Sequence, residues 1–412
     1  TFPTVKELPW GVSLLTGIIA TILILNPIPI SINLMDTPFY SPLPTDTQVL
    51  KIGEIPVDVV KASNLPFISS TMGKGNGDEP NPQNTFFMAP KGEGGEWKQK
   101  GDMPIPRTGT CSAVINGKIY VIGGSIIAAG VPVSIVEEYD PIKDTWTRKA
   151  DMPTPRFLAT AAVVEDKIYV IGGGQSLVTF LNTLEEYNPA IDKWTAKADM
   201  PTQRGCLDAE AVNGKIYAIG GYTANNAFGM GIVEEYDPKM DTWKQKADLN
   251  VPRYAISTSI VDGKIYAIGG SQGPSLSTVE LYDPAADKWE IKKPMPTTRE
   301  YLSTAVVDNK IYAFGGMNGN IAFDGIINVE MYDPKTDTWT IEPNMPEPNV
   351  AFSCESVDQR IYIIGGESFF TFFGNNPLLP SVREYNPLGL KENPVYPKGK
   401  LPSTWGERKL IK

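Results

Sequence analysis

With 412 residues, 42% of them apolar and 20% charged, and with 38 Gly and 36 Pro that follow no collagen-like period, the chain reads as globular and rich in turns. Its 37 basic and 47 acidic residues leave a net charge of −10 without any basic run, which excludes nucleic acid as the expected partner. Histidine is absent, so Ser-His-Asp hydrolysis, histidine-based zinc hydrolysis and histidine-ligated copper oxidation are excluded too, and neither metal nor other cofactor is expected.

Residues 1–35 contain an apolar stretch, Trp10–Leu25 (WGVSLLTGIIATILIL), broken by Asn26-Pro27-Ile28-Pro29. As a helix its sixteen residues would span about 24 Å, short of the roughly 30 Å hydrocarbon core of a bilayer. Residues 8–35 therefore read as the core of an export signal or as a short membrane anchor, although only Lys6 supplies positive charge upstream and no A-x-A cleavage site stands out. An exported or membrane-anchored protein is the expectation, with a buried N-terminus as the alternative. Residues 36–94, with scattered Pro, Gly and Asn and one stretch, 47–60, suited to short strands, read as a linker. The three cysteines, Cys111, Cys206 and Cys354, are too few for a disulfide framework and read as small core thiols.

From residue 95 to residue 390 the chain repeats itself. Six segments end in a strand and a glycine pair: KIYVIGG at 118–124, KIYVIGG at 167–173, KIYAIGG at 215–221, KIYAIGG at 264–270, KIYAFGG at 310–316 and RIYIIGG at 360–366. Each of Trp97, Trp146, Trp194, Trp243, Trp289 and Trp339 stands 26 residues before the first glycine of the next pair, so the unit is rigid. Within a unit, 108–115 reads as a first strand, Asn116-Gly117 as a type I′ turn (with Asn213-Gly214 and Asp262-Gly263 elsewhere), and 118–122 as a second strand buried on both faces. Residues 134–139 make a third strand, Asp140-Pro141 a turn, and the stretch around Trp146 an outer fourth. A four-stranded sheet cannot bury both its faces alone, so the copies are expected to pack face to face around an axis.

The glycine pair, the Tyr-Asp-Pro and the Trp resemble kelch repeats in all six units. The resemblance implies an all-β fold: a six-bladed β-propeller of four-stranded antiparallel blades, preceded by the apolar segment and linker and followed by a tail, 391–412. The last unit lacks its Trp, so the strand around Trp97 is expected to complete blade six and lock the ring; closure by Trp405 is the alternative.

Between the first glycine of each pair and the following Tyr the spacing varies from 13 to 20 residues, so these loops, which share one face of a propeller, are where a partner is expected. They carry Phe180, Tyr222, Phe228 and Phe323, and the longest carries Phe369, Phe370, Phe372 and Phe373, which suggest a contact surface unless the loops pack on one another. Leading into each inner strand stand Arg107, Arg156, Arg204, Arg253 and Arg299, replaced by Asn349 in the last unit. Kelch proteins that capture acidic peptides use arginines on this face. The other reading is that these five satisfy backbone carbonyls, or the glutamates Glu138, Glu186, Glu235, Glu280 and Glu330. Asp208, Glu210 and Glu355 break the repetition by placing acids among small inner-strand residues of opposite blades, which marks them as a candidate polar site.

Two functions stay open. One is a binding or scaffolding module that presents the loop face to an unidentified protein, peptide or glycan. The other follows from the resemblance, since kelch-like propellers include sialic-acid mutarotases that work with Glu and Arg and without metal. Glu210 or Glu355 would then act as acid or base beside Asp208, with Arg204 as the carboxylate clamp.

Overall fold

Five of the six four-stranded antiparallel sheets are single repeats whose strands follow chain order, because each turn signal closes a hairpin. The computed structural model describes residues 95–390 except 128–129, 227, 320–321 and 369–376, and for 322–324 the backbone alone. The apolar segment within 8–35, the linker 36–94 and the tail 391–412 with Trp405 lie outside the described residues. Among those described, no helix is long and apolar enough to cross a membrane.

The first described strand, β1 (Glu96–Lys100), belongs to none of the units that follow it directly. Blade one is β2 (Cys111–Ile115), β3 (Lys118–Ile122), β4 (Val136–Asp140) and β5 (Thr145–Arg148), and blade two is β6 (Thr160–Val164), β7 (Lys167–Ile171), β8 (Leu184–Asn188) and β9 (Lys193–Ala196). Blade three comprises β10 (Asp208–Val212), β11 (Lys215–Ile219), β12 (Val233–Asp237) and β13 (Thr242–Gln245); blade four comprises β14 (Ser257–Val261), β15 (Lys264–Ile268), β16 (Val279–Asp283) and β17 (Lys288–Lys292). In blade five, β18 (Ser303–Val307) and β19 (Lys310–Phe314) are separated by a small hairpin, β20 (Met317–Asn318) and β21 (Ala322–Gly325), from β22 (Val329–Asp333) and β23 (Thr338–Glu342). Blade six is β24 (Ser353–Val357), β25 (Arg360–Ile364) and β26 (Val382–Asn386), and its outer strand is β1, paired in register from Glu96 opposite Asn386 to Lys100 opposite Val382. The N-terminal strand thus closes the ring, with Trp97 opposite Tyr385.

Local conformation follows the sequence signals. Asn116 and Gly117 both take left-handed φ, 52° and 72°, which the I′ turn requires. The glycine pair is needed for close approach as well as for φ: a Cβ on Gly123 would lie 2.6 Å from the Arg156 carbonyl oxygen of the next blade. The first strand begins at Cys111 and not at Thr108. Residues Thr108–Thr110 are used instead in a bridge to Ser125 and in a left-handed step at Gly109, φ 60°.

Each apolar cluster spans one junction between blades. Tyr120, Ile122 and Val136 of blade one, for example, meet Ile168, Val170 and Tyr187 of blade two. The remaining five junctions are filled in the same manner. Each strand pair is therefore stable only because its neighbours cover it, which is the physical content of the repeat. The outer strands are stitched as well. Trp194 Nε1 donates to the Ala150 carbonyl (3.0 Å), Ala150 N donates to Asp192 (2.9 Å), and the Tyr187 hydroxyl donates to Asp192.

Candidate functional site

The arginines do not face a ligand. Arg107, Arg156, Arg204, Arg253 and Arg299 are all buried, at most 1% exposed, and each guanidinium pairs with a glutamate of the third strand of its own blade: Glu137, Glu185, Glu234, Glu280 and Glu330. The same groups donate to backbone carbonyls, as Arg107 does to Gly123 (2.7 Å) and Ile135 (3.0 Å), tying the glycine pair to the loop that follows. In blades one to three the partner is the first Glu of the Glu-Glu-Tyr run, where Glu138, Glu186 and Glu235 were expected. Alternation turns that second Glu to the other face, where Glu138 accepts from the Tyr120 hydroxyl (2.6 Å) and Glu186 from Tyr169 (2.9 Å). Blade six inverts the arrangement: Asn349 Nδ2 donates to the Gly365 carbonyl (2.8 Å), while Arg383 on β26 takes the third-strand position and pairs with Glu347 (2.8 Å). A clamp role for Arg204 is therefore corrected: its guanidinium is fully enclosed by Glu234 and the Thr202 and Ala218 carbonyls.

The six inner strands enclose an axial channel of about 580 Å³, and Asp208, Glu210 and Glu355 all line it. Asp208 accepts from Thr160 Oγ1 (2.8 Å), the Thr258 amide (2.7 Å) and the Ala209 amide (2.9 Å), and Glu355 accepts from Ser112 Oγ (2.8 Å). Burial raises all three carboxyls. Glu210 lies well above the ordinary range, by burial and then by the negative charges of Asp208 and Glu355; Glu355 is pushed up to about 7, burial outweighing the Ser112 bond. Among the described residues no set of acidic or thiol side chains is arranged to hold a metal ion.

These shifts carry a prediction. A carboxyl with a raised native pKa binds its proton more tightly folded than unfolded, so its contribution to stability is lost as pH rises from its unfolded value through the folded one. For Glu355 the loss amounts to roughly 3 kcal/mol at most, complete above about pH 7. The outer aspartates have the opposite sign. Asp192, Asp241 and Asp337 are held below the usual range by their tyrosine hydroxyls, and their contribution is lost as pH falls through those lowered values. Melting temperature should therefore peak in mildly acidic solution and decline by several degrees between about pH 5 and pH 8. Glu355→Gln should flatten that decline in a calorimetric pH series, and a decline of unchanged slope would show that Glu355 does not titrate there.

At the loop end the channel is collared by a closed ring of backbone bonds. Gly109 N donates to Ala351 O, Leu158 N to Gly109 O, Cys206 N to Leu158 O, Ala255 N to Cys206 O, Tyr301 N to Ala255 O and Ala351 N to Tyr301 O, at 2.8 to 3.1 Å. Five of these residues are not glycine yet take φ of 50° to 53°, a conformation that persists only because the ring holds it. Above the collar lies a funnel of about 190 Å³ whose aromatic lining is Phe157, Phe180, Tyr222, Tyr254 and Tyr301, together with Glu367. Phe180, Tyr222 and Tyr254 form a continuous wall, with centroids 5.2 and 5.3 Å apart. Tyr301 lies across the mouth, its hydroxyl 3.9 Å from Cys206 Sγ two blades away, because Ala255 between them leaves room.

Of the aromatic residues expected on this face, Phe180 and Tyr222 are in the funnel. Phe228 is 65% exposed beside it, against the Gly273 loop, and Phe323 lies on β21. Phe369, Phe370, Phe372 and Phe373 lie outside the described residues. Phe157, Tyr254 and Tyr301 were missed. They occupy the two positions after the buried arginine or Asn349, where the repeat varies freely: Thr108-Gly109, Phe157-Leu158, Gly205-Cys206, Tyr254-Ala255, Glu300-Tyr301 and Val350-Ala351 in turn. That variation beside a constant residue was the available signal.

A family profile described as the Attractin/LZTR1 beta-propeller matches residues 87–326. No curated protein matches the chain. Among solved structures, the one titled "Structure of YjhT" is similar in fold, with a TM-score of 0.59 and 18% identity over 68% of this chain and 95% of that one.

Proposed function

Because the chain belongs to the Attractin/LZTR1 β-propeller family, we propose that it is a binding module that presents the loop face of its kelch-type propeller to a protein or peptide. The observation that carries this is the aromatic funnel at the centre of that face. Around it Ile126, Ile127 and Val131 of blade one, Val178 of blade two and Phe228 of blade three leave large apolar side chains exposed on three successive loops. Apolar surface clustered around a concave aromatic floor is the composition of a recognition surface. In this reading residues 8–35 export the module or attach it to a membrane.

The test is an immobilised peptide library and a glycan array probed with the full chain, with Tyr222→Ala and with Phe228→Asp. Peptide binding should fall at least about tenfold in each variant at unchanged melting temperature, since aromatic anchors dominate such surfaces. Binding that survives both substitutions would move the partner surface elsewhere.

One observation favours the enzymatic reading: a channel carboxyl titrating at about 7, Glu355, near another held well above its usual range, Glu210, is poised for proton transfer. It would operate without an arginine clamp. Mutarotation of free N-acetylneuraminate followed by proton NMR, and lost in Glu210→Gln, would decide for it.

A further inference from the structure

The six segments that run from each glycine pair to the third strand, residues 123–135, 172–183, 220–232, 269–278, 315–328 and 365–381, contain no Lys or Arg at all; their only charged residues are Asp324 and Glu367. The one basic position the repeat does place near this face is withdrawn into the arginine–glutamate pairs described above. Among the described residues neither the funnel nor the channel is lined by a basic side chain, while Glu367 lines the funnel and Asp208, Glu210 and Glu355 line the channel. The two cavities meet at the collar, since Gly109, Leu158, Cys206, Tyr301 and Ala351 line both. A chain of net charge −10 therefore focuses negative potential on a mouth walled by aromatic faces.

An anion, whether phosphate, sialate or acidic peptide, would meet hydroxyls, ring faces and acidic side chains there, with no basic side chain in the lining to neutralise it. A cation meets both of its preferred partners. At about 190 Å³ the funnel lies below the roughly 300–1,000 Å³ of sites that enclose a whole small-molecule ligand, so it suits one long side chain. Between the two basic side chains, the planar, weakly hydrated guanidinium stacks on aromatic rings and pairs with carboxylates more readily than the ammonium. We infer that the funnel receives an arginine side chain of a partner polypeptide, stacked on the Phe180–Tyr222–Tyr254 wall and drawn in by Glu367.

This rests on the loop-face reading above, and the experiment separates the two. Fluorescence anisotropy of the full chain would be measured with peptides selected from a library in which each residue type in turn occupies one position of a Gly-Ser background. Arginine should be the residue enriched. Its replacement by citrulline, which keeps the shape and removes the charge, should weaken binding about tenfold or more. Tyr254→Leu, which fills the space without the ring, and Glu367→Gln should each cost a comparable factor, and affinity should fall as salt rises. If acidic or neutral residues are enriched, or citrulline binds as well as arginine, and Tyr254→Leu still abolishes binding, the cation inference is overturned while the loop face stands as the recognition surface. If no residue type is enriched, or Tyr254→Leu changes nothing, both fall.

Discussion

A chain shortened to begin at Gly101, and so lacking β1, is expected to lose its cooperative thermal transition and to self-associate. β26 then becomes a free edge: all five of its residues pair with β1, and the face that carries Tyr385 loses Trp97, whose ring sits 4.7 Å from Tyr385 and 6.0 Å from Phe314. With its backbone N–H and C=O groups unpaired and the Tyr385 side uncovered, such an edge recruits another copy. The loss is comparable with the whole net stability of a typical domain, about 5–15 kcal/mol, because the blade five to blade six junction opens along with the missing strand. Trp97→Ala is the milder version, costing about 3 kcal/mol. It should cost about 1 kcal/mol less than Trp194→Ala, since Trp194 donates to the Ala150 carbonyl, whereas Trp97 Nε1 is buried without a hydrogen-bond partner among the described residues. The closing seam is thus less well stitched than the regular ones: Pro343 has no amide to offer and Leu390 stands where the other blades place the turn aspartate. Calorimetry with size-exclusion chromatography reads both effects, and a monomeric shortened chain that melts within a few degrees of the full one would show that the ring closes without β1.

How much of this was legible depended on whether a residue acts within its repeat or across the ring. The constant 26-residue offset from each Trp to its glycine pair demands identical units, and a unit that cannot bury both faces demands neighbours, so ring, blade number and closing strand followed from sequence. The position of the arginines was legible but their partners were off by one in three blades. In blades four and five Leu281 and Met331 leave a single glutamate, two residues before the Tyr, and that register, carried to the others, selects Glu137, Glu185 and Glu234. Asp208, Glu210 and Glu355 were legible as breaks in a pattern. The funnel was not: it is assembled from scattered positions on all six blades around a collar whose left-handed residues, Leu158, Cys206, Ala255, Tyr301 and Ala351, range from alanine to tyrosine. Tertiary hydrogen bonds impose that conformation, and no local preference announces it.

Arg253→Ala should be among the most damaging single substitutions in the molecule, lowering unfolding free energy by about 3–5 kcal/mol. Both partners of the Arg253–Glu280 pair are fully buried, so removing one strands the other charge. Glu280 would keep its bonds from the Asn250 amide and side chain (2.9 and 2.7 Å) and the Val251 amide (3.2 Å), which is what holds the carboxylate in place without its counter-ion. The carbonyls of Val251 and Ala267 would at the same time lose their donors. Replacing the pair together, Arg253→Met with Glu280→Leu, removes the stranded charge and should recover part of the loss, but not all of it, because those backbone groups stay unsatisfied. Full recovery in the double variant would mean that the pair serves only to neutralise itself. Incomplete recovery, read from the midpoint of urea unfolding at constant slope, would mean that it also ties the link at Val251 to β15 at Ala267. The natural control is blade six, where Asn349 keeps a single bond to the Gly365 carbonyl and the charges reappear, exchanged between strand and link, as Arg383 and Glu347. What blade six keeps, in common with blades one, two and five, is a donor to the glycine carbonyl, while the charges have changed sides.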